Sequence, residues 1–122
     1  MSQRYRSAEE VLDAVWGTVE FGGFAERPAV SSVGIFGSQP LKTVVTWDDL
    51  TPVELLLDAG ADINARHEGG DTALHHALRM GHFSVARLLL ARGADQTIRN
   101  NEGKLPRDYC SSIEWDGLGL RH

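Results

Sequence analysis

A single cysteine, Cys110, and two methionines are all the sulfur the chain carries. No internal disulfide is possible, which fits a reducing, cytoplasmic setting. Basic residues are outnumbered, with 12 Lys and Arg against 17 Asp and Glu, for a net charge of −5. No segment forms a basic patch, so nucleic acid is excluded as a partner. No apolar run approaches the roughly 20 residues of a membrane span, so no membrane contact is expected. The opening MSQRYRSAEEVL lacks the apolar stretch of a secretory signal. Aromatic residues make up only 7% of the chain, so the position of each one matters to any binding reading.

Catalytic and metal constellations are also missing. His67, His75, His76 and His82 crowd together in sequence. Yet His75 and His76 are adjacent and point to different sides of a helix. No second histidine one turn away, no acidic partner and no cysteine pair completes a ligand set, so neither metal nor cofactor is expected. Nothing lowers the pKa of Cys110 into the range of a nucleophile. There is no nucleophile elbow, Walker loop or dinucleotide fingerprint. Asp48-Asp49 reads as a solvated pair ahead of a helix. No catalytic residue is named, and an enzyme is not expected.

What is present is a repeat. Residues 67–99 read HEGGDTALHHALRMGHFSVARLLLARGADQTIR. Thr72 to Ala77 opens one short helix, Gly81-His82 interrupts it, and Val85, Leu88, Leu89 and Leu90 take helical spacing on a second. Gly93-Ala94-Asp95 closes that helix, glycine being the usual left-handed C-terminal residue. The same features occur 33 residues earlier: Gly37 before Gly70, Leu41 before Leu74, Leu55 to Leu57 before Leu88 to Leu90, and Gly60-Ala61-Asp62 before Gly93-Ala94-Asp95. A gapless period of 33 with helix-turn-helix content is the mark of one solenoid family.

The unit resembles an ankyrin repeat. TALHHA stands where that family has T-P-L-H-x-A, with Ala73 in place of proline and the capping Thr72 kept. GHFSVARLLLARGAD is similar to the family's second helix and turn. The resemblance implies an all-α solenoid of stacked helix-turn-helix units with hairpin loops. It also implies that His75 is the framework histidine that bonds a neighbouring loop.

Taken in order, Ser7-Ala8-Glu9-Glu10 predicts a capped helix over about residues 8–16, with Val11, Leu12, Val15 and Trp16 on its apolar face. Residues 8–33 read as a degenerate first repeat or N-terminal cap, with the first hairpin loop over 30–37. Residues 34–66 form a repeat in which Lys42 replaces the family histidine and Thr51-Pro52 starts the second helix. Residues 67–99 form the next repeat. Residues 100–122 form a C-terminal cap of one helix and a tail, in which Trp115 and Leu118 pack. The whole is a single domain of about two well-formed repeats between caps.

In such arrays the loop tips and the ends of the inner helices present the binding face. Register places Ile35, Phe36 and Ser38, then Glu68, Gly69 and Asp71, then Asn101, Glu102 and Lys104 at the tips. Trp47, Arg79 with Met80, and Ile113 fall near the ends of the inner helices. Trp47, Met80 and Ile113 are 33 apart and are expected to form an apolar ridge. Two placements are open for Trp47: a binding hot spot, or packing beneath segment 17–33. The tip charges are either interface groups or solvated ones.

The expected function is non-enzymatic protein binding. The partner-binding residues are Ile35, Phe36, Trp47, Glu68, Asp71, Arg79, Met80, Glu102 and Lys104. The partner is another protein, with acidic tips steering a basic surface. Short acidic ankyrin proteins of this kind resemble bacterial immunity proteins, which implies an inhibitor that occludes a basic toxin or effector. The second reading is a self-associating scaffold, a homodimer through the apolar ridge; the first reading favours a monomer.

Overall fold

Runs of Leu and Val at helical spacing organise the structure into paired helices. A computed structural model describes residues 5–18, 20–35 and 37–118, where the regular structure is entirely helical. The helices are α1 (Ala8–Trp16), α2 (Pro40–Thr46), α3 (Leu50–Asp58), α4 (Ala73–Arg79), α5 (Phe83–Ala91) and α6 (Ser112–Asp116), with a 3-10 turn at Pro106–Tyr109 before α6. α2 pairs with α3, and α4 with α5. The inner helices stack in the order α2, α4, 3-10 turn, while α3 packs on α5. α1 lies against both α2 and α3, so one helix caps the end of the stack.

Three tight turns recur at the 33-residue step. Gly34, His67 and Asn100 each donate an N–H to the carbonyl four residues on, at Ser38, Asp71 and Lys104 (2.8, 2.7 and 3.0 Å). Gly37, Gly70 and Gly103 hold the left-handed corner of each turn, with φ of +87°, +77° and +76°. Gly70 is also a point of close approach: an added Cβ would come within 2.9 Å of the Asn101 backbone nitrogen. That closeness lets Asn101 N–H donate to the Gly69 carbonyl at 3.0 Å, joining one turn to the next.

The outer helices end alike. Past Gly60, Ala61 N–H reaches back to the Leu56 carbonyl, and past Gly93, Ala94 N–H reaches back to the Leu89 carbonyl (both 3.0 Å). This closes the last turn around a left-handed glycine. The core joins Val11, Val15, Phe21, Leu41, Val44, Val45, Val53, Leu56, Leu74, Leu78, Val85 and Leu89. Leu118 is buried at the far end, and Trp115 packs beside the core.

Some local expectations need correction. Helix α3 begins at Leu50, and its cap is Asp49, whose carboxylate accepts from Thr51 N–H at 3.1 Å. The chain turns into it through Asp48 in a left-handed conformation (φ +53°), the register position that Gly81 fills in the next unit. A carboxylate at the cap also suits the helix dipole, and so displaces Thr51 from that role. The C-terminal cap is not one helix but a 3-10 turn followed by α6. Pro106 starts a tight turn that stops at Cys110, and Ser111 then caps α6 with a reciprocal bond to Glu114. Ile113 therefore sits on the cap's second helix and not at the end of its first. The expected ridge of Trp47, Met80 and Ile113 loses its third member.

Leu89 has no exposed surface. Leu89→Ala is expected to lower unfolding free energy by about 2–5 kcal/mol through lost burial and a residual cavity. A denaturant midpoint equal to wild type would show that Leu89 is not where the core places it.

Candidate protein-interaction surface

Polar side chains fix the hairpin turns before any partner is considered. Thr72 caps α4 and is locked reciprocally: its N–H donates to His75 Nδ1 at 3.0 Å while its hydroxyl accepts from His75 N–H at 3.4 Å. Because Nδ1 accepts, the ring proton sits on Nε2, which donates to the Lys104 carbonyl at 2.9 Å. One buried histidine thus binds its own helix start and the next hairpin. In the preceding unit Lys42 stands at this register position and provides no such bond. There the units are joined by His76 Nε2 beside Thr46 Oγ1 (2.9 Å) and by His82 Nδ1, which donates to the Val45 carbonyl (3.0 Å).

A second network ties the stack to its C-terminal cap. Asp71 is buried and accepts from Arg79 Nη1 at 2.6 Å and from Asn100 Nδ2 at 2.8 Å. Asn100 Nδ2 also donates to the Tyr109 hydroxyl at 2.7 Å, and its Oδ1 accepts from Glu102 and Lys104 N–H. The Arg79 guanidinium lies 4.5 Å from the Tyr109 ring centroid and the Lys104 ammonium 5.5 Å from it. Tyr109 therefore carries two cations on its π system while its hydroxyl accepts a hydrogen bond.

The cleft bordered by these networks is lined by Lys42, Glu68, Gly69, Asp71, His76, Arg79, Asn101 and Glu102, with a volume of about 380 Å³. Four of the nine expected partner-binding residues, Glu68, Asp71, Arg79 and Glu102, meet there. Lys104 lies beside it on the ring of Tyr109. Asp71 is already discharged by Arg79 and Asn100, so its role at this surface is to position those two groups. Met80 ends α4 with 42% of its surface exposed. Ile35 stands at the tip of the first turn, 64% exposed. Phe36 lies outside the described residues.

Trp47 is half-buried, stacked on Tyr5 with ring centroids 6.1 Å apart and planes 19° from parallel. Its aromatic partner comes from ahead of α1. Segment 17–33 instead places Phe21 in the core, with Phe24 edge-on to it at 5.3 Å. Sequence reasoning passed over Lys42 and His76 as cleft residues. The available signal was the substitution of lysine at the His75 position, which removes a framework bond and leaves a charge. Burial, with Glu114 nearby, pushes the Cys110 thiol pKa up.

The match to known families is decided by the same residues that build the stack. The family described as "Ankyrin repeats (many copies)" matches residues 56–110. The chain is an ankyrin-repeat protein. It is similar to protein phosphatase 1 regulatory subunit 27 of Homo sapiens, 42% identical over 91 residues, covering 73% of this chain and 59% of that protein. The mouse protein of the same name is 37% identical over 84 residues, covering 69% and 54%. Ankyrin repeat and SOCS box protein 11 of Danio rerio is 52% identical over 56 residues, which is 46% of this chain and 19% of that protein. The chain thus spans little more than half the length of the two regulatory subunits.

Two outcomes test the networks. Asp71→Ala strands Arg79 and Asn100 and is expected to cost about 1–3 kcal/mol of stability; urea unfolding with an unchanged midpoint would mean that the network adds nothing. Burial, then repulsion from His76 as it protonates and from the Lys42 ammonium, holds His67 down to about 4 from 6.5. Burial, then Lys42 and Arg79, does the same to His76, to about 4. Both are neutral when folded, and the unfolded chain takes up more protons between those values. Stability contributed by the neutral rings is therefore complete above pH 6.5 and is lost as pH falls towards 4. The expected slope is at most about 1.4 kcal/mol per pH unit for each ring. His67→Asn should remove about half of it, and a flat profile for wild type across this window would contradict the assignment.

Proposed function

We propose that the protein partner docks across the inner-helix ends and hairpin tips, with Glu68 and Glu102 meeting a basic surface and Met80 and Ile35 supplying apolar contact. The observation that carries this is the contrast within one cleft. Asp71 and Arg79 are consumed in binding each other, and Asp71 also accepts from Asn100 of the next unit, whereas Glu68 and Glu102 make no side-chain hydrogen bond or ion pair among the described residues. Charges that the scaffold does not use are available to a partner, and unpaired rim carboxylates act mainly on encounter rate and specificity.

In its finer form the reading is an inhibitor or regulator that acts by occlusion. The sequence resemblance points to a cognate bacterial toxin as the target. Two relatives are by name regulatory subunits of a phosphatase, which supports action on an enzyme. A sequence with one cysteine and so no internal disulfide supports a reducing cytoplasm. The second reading, a self-associating scaffold through Trp47, Met80 and Ile113, is less favoured, because Trp47 is half-buried and stacked on Tyr5.

The test is affinity capture from source cells, identification of the bound protein, and titration of the purified pair. Glu68→Lys with Glu102→Lys is expected to weaken binding by about tenfold or more with melting unchanged. Equal affinity for wild type and double variant would remove the cleft from the interface. Light scattering at micromolar concentration is expected to give a monomer, and a dimer would restore the scaffold.

A further inference from the structure

One charge in the cleft is of the opposite sign and equally unused. Lys42 sits in the first turn of α2, half-buried, at the register position where His75 is fully buried and bonded. Among the described residues its ammonium has no hydrogen bond and no ion pair. Arg79, the other cation of the cleft, is held by Asp71, so that carboxylate is already spent.

Resting on the docking surface proposed above, we infer that the partner inserts a single carboxylate side chain against Lys42, flanked by basic side chains that face Glu68 and Glu102. The reason is desolvation. A partner that covers the cleft takes the Lys42 ammonium out of water, and a cation desolvated without an ion pair is costly enough to oppose binding. The partner must therefore bring its own anion. That anion is a monoanion, because Glu68 and Glu102 line the same cleft without pairing with Lys42 and disfavour the higher charge of a phosphate dianion. The same two carboxylates call for positive charge beside the inserted acid. The recognised segment thus reads basic–acidic–basic, a pattern distinct from a uniformly basic surface.

The experiment is selection from a phage-displayed library of random short peptides on the full chain, on Lys42→Glu, and on the Glu68→Lys, Glu102→Lys double variant. Wild type is expected to enrich peptides with Asp or Glu between Arg or Lys. Lys42→Glu should lose the acidic preference and keep the basic one, and the double variant should do the reverse. In fluorescence anisotropy, a peptide selected on wild type should bind Lys42→Gln about tenfold more weakly. Lys42→Gln keeps a long polar side chain and no charge, so it serves if Lys42→Glu fails to fold. If the Lys42 variants select the same acidic residue, or bind the selected peptide as wild type does, the inference falls while the docking surface stands. If wild type and variants enrich nothing above background, the surface itself is wrong and both fall.

Discussion

The hydrogen bond from His75 Nε2 to the Lys104 carbonyl holds the rest of the arrangement in register. It requires the neutral tautomer that Thr72 N–H enforces at Nδ1, so helix capping and hairpin docking depend on a single proton position. Because the ring is buried, water cannot compete for the carbonyl, and the hairpin after α5 is fixed relative to α4. That fixed hairpin places Asn100, and Asn100 in turn aligns Asp71 and Tyr109.

The energetics of the surface follow from that order. A buried carboxylate is stable only with its hydrogen-bonding positions filled, and Asp71 has Arg79 and Asn100. Arg79 is then committed, half by its ion pair and half by the face of Tyr109. What remains uncommitted in the cleft is one ammonium and two carboxylates. Rigid positioning of those groups lowers the ordering cost of binding, which is what a scaffold contributes to recognition.

The fold was legible because its signal is redundant. Leu and Gly positions repeat at 33 residues, the capping Thr72 and the turn glycines agree with them, and α1 follows its Ser7 cap and apolar face. The site was only partly legible. Register brought Glu68, Asp71, Arg79 and Glu102 to one place, but register says nothing of whether a charge is spent. Asp71 looked like a tip residue and is buried, because Asn100 from the next turn reaches across to it. Trp47 was open to two placements, and its stacking on Tyr5 depends on a contact across 42 residues that no local pattern encodes. The C-terminal cap was least legible: there a Pro106 turn overrides the repeat, since an end unit answers to solvent on one side.

The Asn101-to-Gly69 bond has a mechanical consequence. Neighbouring turns are joined backbone to backbone at a spacing too close for any side chain at Gly70. A load applied at Glu102 is borne next door at Gly69 and, through Asp71, by α4. Along this stretch the tips behave as a stiff strip whose elements deflect together, so a ligand that grips one of them is resisted by all.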